Sequence, residues 1–162
     1  MIAIRQAEFG DAQAIAALMR EVHAVHAAAL PNVFQPADVP WMTPDDLAGC
    51  MERAGPLFVV ALDDDALAGY ARAEFRERAA TSLLRATRVV HVVEMAVVPV
   101  HRRRGVGRAL LDAIRALARE RGAANVTLEV FAFNAAARAF YAREGFQPLR
   151  DLLVTSSDAA LP

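Results

Sequence analysis

Residues 89–122 constrain this chain more than any other stretch. Val89 to Val98 is apolar and rich in β-branched residues, and it ends at Pro99. Arg102-Arg103-Arg104 follows, and Gly105-Val106-Gly107 then opens a pattern with Val106, Leu110, Ile114 and Leu117 on one face, stopping at Gly122. β-Branched runs favour strand, proline ends it, and a 3.6-residue apolar period closed by glycine favours helix. The segment therefore reads as a strand, an arginine-rich turn and an amphipathic helix from Gly105 to Arg121. Glycines at such a turn let the main chain approach a ligand, and the first N–H groups of the helix point outward at its positive dipole end. Arginine side chains add charge where two phosphates must be held.

The same reading runs along the rest of the chain. Ile2 to Gln6 alternates as a short strand, and Asp11 offers an N-cap for a helix to about Leu30 with Ile15, Leu18, Met19 and Val22 inward. Pro31, Pro36, Pro40 and Pro44 break the next stretch, with a short helix from Asp45 to Glu52 beginning after Thr43 or Pro44. Leu57 to Leu62 and Leu67 to Phe75 read as an antiparallel hairpin around a solvated Asp63-Asp64-Asp65 turn. Val126 to Val130 is a further strand and Asn134 to Arg143 a helix ending at Gly145. Phe146 to Leu149 and Leu152 to Thr155 read as closing strands. Residues 1–155 are expected to form one domain, and 156–162, small and polar, a frayed tail.

Composition removes whole classes of chemistry. All 18 basic residues are arginine, which excludes a lysine Schiff base and a phosphate-loop lysine. Cys50 is the only cysteine, so neither an internal disulfide nor a clustered-cysteine metal site is available. His23 and His26 are three apart on the first helix but have no third ligand at a convincing spacing, so no metal is expected. The net charge of −1 gives no global field toward nucleic acid or membrane, and no window approaches the roughly 18 apolar residues of a membrane span. No signal-peptide pattern opens the sequence, and a soluble, cytoplasmic protein is expected.

The segment from Glu94 to Leu110 resembles the GNAT superfamily of N-acetyltransferases, whose signature is Gln or Arg, two residues, Gly, one residue, then Gly or Ala, matched by Arg102, Gly105 and Gly107. Leu128-Glu129-Val130-Phe131-Ala132-Phe133-Asn134, with Ala139-Phe140-Tyr141-Ala142-Arg143-Glu144-Gly145-Phe146, resembles the closing motif of the same family. The resemblance is strongest from Val89 to Phe146. It implies an α/β (α+β) fold: a mixed, mostly antiparallel sheet of six to seven strands, with helices on both faces and a splay between strands 4 and 5. It also implies acetyl-CoA as acyl donor. The main chain of Arg103, Arg104, Gly105, Val106, Gly107, Arg108 and Ala109, with Arg102 at its head, would wrap the CoA pyrophosphate. The main chain of Val97 and Val98 would pair with the pantetheine arm, Asn134 would contact the cofactor, and Tyr141 would protonate the departing thiolate.

Attack on a thioester needs a neutral amine, and an alkylammonium has a pKa near ~10, so a base or water chain must take a proton first. Relatives in the family place that base four or six residues before the position of Val97, here Val93 and His91. His91 is the first candidate, with Glu94 and Glu129 behind it. Strand alternation puts His91 and Val97 on one face and Glu94 on the other unless a bulge shifts the register.

Two other readings stay open. A dinucleotide site is suggested by Gly105-Val106-Gly107 opening a helix with Glu129 near the end of the next strand. Leu110 in place of a third glycine and six residues between strand and first glycine oppose it. A non-catalytic acyl-CoA sensor would keep the turn and lose turnover, and Tyr141 argues against it. The acceptor is expected to be a small-molecule amine, whose pocket falls to the first two helices and the loop from Ala79 to Arg88. A homodimer is expected from the resemblance alone.

Overall fold

The computed structural model describes residues 1–39, 42–54 and 57–155; Pro40 and the expected frayed tail at 156–162 lie outside the described residues. The chain divides into two compact units, Met1–Glu129 and a second beginning at Val130.

The first unit holds one sheet of five strands in sequential order: β1 (Ile2–Gln6), β2 (Phe58–Asp63), β3 (Ala66–Arg78), β4 (Thr87–Val97) and β5 (Asn125–Leu128). The first three pairings are antiparallel, and β5 runs parallel to β4. A helix, α1 (Ala12–Ala29), follows β1, a second, α2 (Pro44–Ala54), precedes β2, and a third, α3 (Val106–Glu120), connects β4 to β5. Helices cover both faces, as expected. Ile15, Leu18 and Met19 of α1 and Leu47 and Met51 of α2 share one buried cluster with Phe58, Val60, Tyr70 and Ala96 of the sheet. On the opposite face α3 buries Val106, Leu110, Leu111, Ile114 and Ala118, a stripe at helical spacing. Full burial of such side chains stabilises the fold by about 1.5–3 kcal/mol for each large one.

Local chemistry fixes the helix ends. Thr43 caps α2 through its Oγ1, which accepts from the Asp46 amide at 3.1 Å, while the Asp46 carboxylate accepts from the Thr43 amide at 3.0 Å. Pro44 sits at the first helical position, where its missing N–H costs nothing. Asp11 precedes α1, but its carboxylate accepts from Arg5 at 2.7 and 2.9 Å and from the Glu8 amide at 2.8 Å, not from the helix it precedes. α3 ends at Gly122 (φ 64°), where the Ala123 amide reaches back to the Ala118 carbonyl at 2.9 Å and the Gly122 amide to Arg119 at 3.0 Å.

The second unit contains α4 (Ala135–Arg143). Asn134 is its N-cap, with Oδ1 accepting from the Ala137 amide at 3.1 Å. Its far end repeats the geometry of α3: Gly145 at φ 87°, the Phe146 amide bonded to the Tyr141 carbonyl at 3.0 Å, and the Gly145 amide bonded to Ala142 at 3.1 Å. The Phe146 ring meets Tyr141 edge-on at 5.6 Å, the apolar contact that accompanies this kind of helix stop.

The number of strands and the two closing strands are corrected. Five strands form among the described residues, not six or seven. Residues 146–155 carry no strand, and Leu149, Leu152, Leu153 and Val154 are 88–99% exposed. Apolar β-propensity makes a strand only where a neighbour takes its N–H and C=O groups, and no pairing includes these residues. The dinucleotide alternative needs a parallel, doubly wound sheet, whereas only β4 and β5 run parallel here.

Candidate active site

The arginine-rich turn forms as a short 3-10 turn, Pro99–His101, followed by two left-handed residues, Arg103 at φ 62° and Gly105 at φ 85°. Gly105 is the N-cap of α3, and no side chain caps the helix there. A Cβ built on Gly105 meets nothing within 4 Å, so the turn opens outward at this point. Arg103, Arg104, Gly105 and Arg108 are all exposed, and the N–H groups of the first helical turn, which lack carbonyl partners within the helix, lie behind them. This is an electropositive cradle built from main chain and guanidinium groups.

Two neighbours brace the cradle. The Arg102 Nε donates to the carbonyl of Val97 at 3.1 Å, tying the turn back to the end of β4. Asp63, at the end of β2, lies 3.4 Å from Arg104 and 3.6 Å from the His101 ring, and Arg104 also approaches His101 at 3.2 Å. Asp63 thus joins the turn instead of being only solvated, while Asp64 and Asp65 adopt left-handed φ at the hairpin tip.

Beside the turn, β4 has an open edge. β5 pairs with β4 only from Val89 to Val92, so among the described residues Val93 to Val97 are accompanied on one side, by β3. The Val98 amide donates to Ala68 of the β3 side at 2.9 Å, and the Val98 carbonyl accepts from His101 at 2.9 Å. Because main-chain groups alternate in direction along a strand, the N–H and C=O of Val97 point to the open edge. Of the two residues expected to meet a pantetheine arm, Val97 faces the open edge with its carbonyl already accepting from Arg102, and Val98 is engaged within the fold.

The bulge that alternation left conditional is present. Arg72 opposes Glu94 and Ala73 opposes Val92, so the ladder skips Val93. Directly opposed residues share a face. Tyr70, Arg72 and Glu74 of β3 therefore lie on the same face as Ala96, Glu94 and His91 of β4, the face covered by α1 and α2. Val97 lies opposite, beside Gly69 and α3.

Along this polar row the two base candidates have different surroundings. The His91 Nδ1 is 3.0 Å from Thr127 Oγ1 of β5, within the paired part of the sheet. The Glu94 carboxylate lies 3.4 Å from Arg72 Nε, beyond the last β5 pairing. Burial pushes the Glu94 carboxyl above the usual range, and Arg72 opposes that rise. Tyr70 is also held far above its ordinary value by burial. In the second unit, burial likewise raises the Tyr141 hydroxyl. Glu129, the third base candidate, is exposed at the end of the first unit.

The family model for acetyltransferases of the GNAT family matches residues 20–146. The chain belongs to the GNAT acetyltransferase family. No curated protein matches this GNAT chain in sequence. A point mutant of the BH1408 protein from Bacillus halodurans shares its fold at a TM-score of 0.88 and 21% identity, covering 95% of this chain and 98% of its own. An aminoglycoside N-acetyltransferase, AAC(6')-Iy, in complex with CoA is similar at a TM-score of 0.72 and 16% identity, covering 98% and 96%. An aminoglycoside acetyltransferase from an uncultured soil metagenomic sample, meta-AAC0020, is similar at 0.70 and 16%, covering 98% and 97%.

Within this GNAT chain the structure brings Arg102 to Ala109, Val97 and Asp63 together at one end of β4, and His91, Glu94, Arg72 and Tyr70 together on the α1/α2 face. Arg72, Tyr70, Asp63 and His101 were not read as site residues from the sequence. The available signal for Arg72 was an arginine interrupting the apolar run of β3, and its partner is set by the pairing of β3 with β4. His23 and His26 pack against Phe34 at ring separations of 6.0 and 5.3 Å, and His26 Nδ1 lies 2.8 Å from the Val22 carbonyl. No helix among the described residues is long and apolar enough to cross a membrane.

Proposed function

We propose that the chain is an acetyl-CoA-dependent N-acetyltransferase that acetylates a primary amine of a small molecule. The observation that carries this reading is the uncapped, outward-facing N-terminus of α3, framed by left-handed Arg103 and Gly105, beside the open edge of β4. These residues fit a CoA pyrophosphate: an anion there meets main-chain N–H groups, the positive end of a helix dipole and exposed arginines, and no side chain fills the space at Gly105. The Val97 N–H, which points to the open edge, suits the pantetheine arm. When bound, acetyl-CoA supplies an activated acetyl thioester.

The chain's own residues do the rest. Glu94, which lies beyond the β5 pairing, accepts in its carboxylate form the proton of the incoming ammonium, directly or through water. This reading prefers Glu94 to His91, because the His91 ring is engaged with Thr127 inside the paired sheet. Tyr141, protonated at neutral pH because burial raises its pKa, supplies a proton to the leaving sulfur. Asn134 caps α4 and so sets the start of the helix that carries Tyr141. A small-molecule acceptor is supported by the aminoglycoside acetyltransferases that share the fold.

The test is release of free thiol from acetyl-CoA in the presence of a panel of primary amines, aminoglycosides and polyamines included. Amine-dependent thiol release with an N-acetylated product supports the reading. CoA binding without turnover on any amine would favour an acyl-CoA sensor instead.

A further inference from the structure

We infer that Arg72 is a positioning residue: across the β3–β4 ladder its guanidinium fixes the Glu94 carboxylate in place and holds it in the ionised form. The inference deepens the proposed function and rests on Glu94 being the base.

Geometry carries it. Arg72 and Glu94 are direct ladder partners, with Nε to Oε2 at 3.4 Å, and the two side chains keep only 19% and 26% of their exposure. The pairing continues the unbroken register of Gly69 with Val97, Tyr70 with Ala96 and Ala71 with Met95, and the skip of Val93 just beyond it turns His91 onto the same face. A carboxylate so far removed from water is costly unless a cation stands beside it. Arg72 is that cation.

Among the described residues the other charged or titratable groups near this face are Glu74, Tyr70, His91 and, on α2, Cys50, whose Sγ accepts from Arg53 at 3.3 Å. Glu74 lies 3.9 Å from Arg72 Nη1 and is half exposed, so it shares the guanidinium from the solvent side. Tyr70 is uncharged at neutral pH. His91 is turned to Thr127. The residues that α1 and α2 bury against this face, Ile15, Leu18, Met19, Leu47 and Met51, are apolar, and the Arg72 guanidinium is the cation that reaches the Glu94 carboxylate, at 3.4 Å.

The experiment follows the Glu94 carboxyl directly by carbon-13 NMR titration of the glutamate-labelled protein, its resonance assigned by its loss in Glu94→Gln. Wild type, Arg72→Met, Arg72→Gln and Arg72→Lys are compared, each first checked for a cooperative melt. Removal of the guanidinium in Arg72→Met and Arg72→Gln is expected to raise the Glu94 titration midpoint by about one pH unit or more, and Arg72→Lys to restore most of it. A midpoint unmoved in a folded Arg72→Met or Arg72→Gln protein overturns the inference. The pH profile of kcat/KM, measured on the same proteins, separates the two claims. An acid limb that moves with the midpoint supports both, whereas a midpoint that moves under a stationary limb leaves the clamp standing and removes Glu94 as the base.

Discussion

His91 and Glu94 lie on the same face of the sheet although they are three residues apart, because the β3–β4 ladder skips Val93 between them. In an unbroken strand that spacing sends two side chains to opposite faces. The bulge adds His91 to the row of Tyr70, Arg72, Glu74 and Glu94, and it falls where β5 stops pairing with β4. One inserted residue thus sets which side chains of the central strand act together.

Glu94 governs the acid side of the reaction in this account. Its carboxyl must be ionised to take a proton, and burial holds its pKa above the ordinary glutamate value near ~4.3. Activity therefore rises with pH through a limb that lies above that ordinary value. Glu94→Gln should lower kcat/KM by about 10²–10⁴-fold and abolish this limb, while the limb of the acceptor's own ammonium, nearer ~10, persists in both proteins. A kcat/KM profile for the two proteins on one amine checks this; an unchanged limb in the variant contradicts it.

Tyr141 should act as an acid that stays protonated across the working range. Burial raises its pKa, so the basic limb it controls lies above the ordinary tyrosine value near ~10. Tyr141→Phe keeps the ring contacts with Phe140 and Phe146 and removes only the hydroxyl. The expected result is a fall in kcat of about 10–10²-fold with the melting temperature held. Equal kcat in the two proteins would leave Tyr141 with its structural contact at the end of α4 alone.

Gly69 tests the packing that seats α3 on the sheet. A Cβ there meets the Ala96 carbonyl oxygen at 2.6 Å, a backbone atom that cannot rotate away, and Val106 and Leu110 at 3.3 Å. Gly69→Ala should destabilise the protein by about 1–3 kcal/mol, read as a lower midpoint in urea at unchanged slope. It should also disturb the start of α3, since Val106 is the helix's first residue.

The strand, turn and helix from Val89 to Gly122 were legible because each boundary is written locally: Pro99 at the end of the strand, Gly105 at a left-handed N-cap, Gly122 at a left-handed stop. The same holds for Asn134 and Gly145 around α4. Long-range pairing was not legible. Nothing near Val93 announces that the ladder will skip it, and Arg72 is twenty-two residues from Glu94 in sequence. Asp11 had the composition of a helix cap and the right position, yet Arg5 and the Glu8 amide claim its oxygens. Leu149 and Leu152 to Val154 had strand composition and found no partner strand among the described residues.

The most direct test of the central claim is calorimetric titration of acetyl-CoA into the wild-type protein and into Gly107→Trp, with NADH as the control ligand. Gly107 lies in the first turn of α3, so an indole there would block the approach to the helix N-terminus. The account predicts micromolar binding of acetyl-CoA to the wild type, a loss of at least about tenfold in a folded Gly107→Trp, equivalent to about 1.4 kcal/mol, and no heat from NADH. Acetyl-CoA binding that is absent from the wild type, or unchanged in the variant, contradicts it.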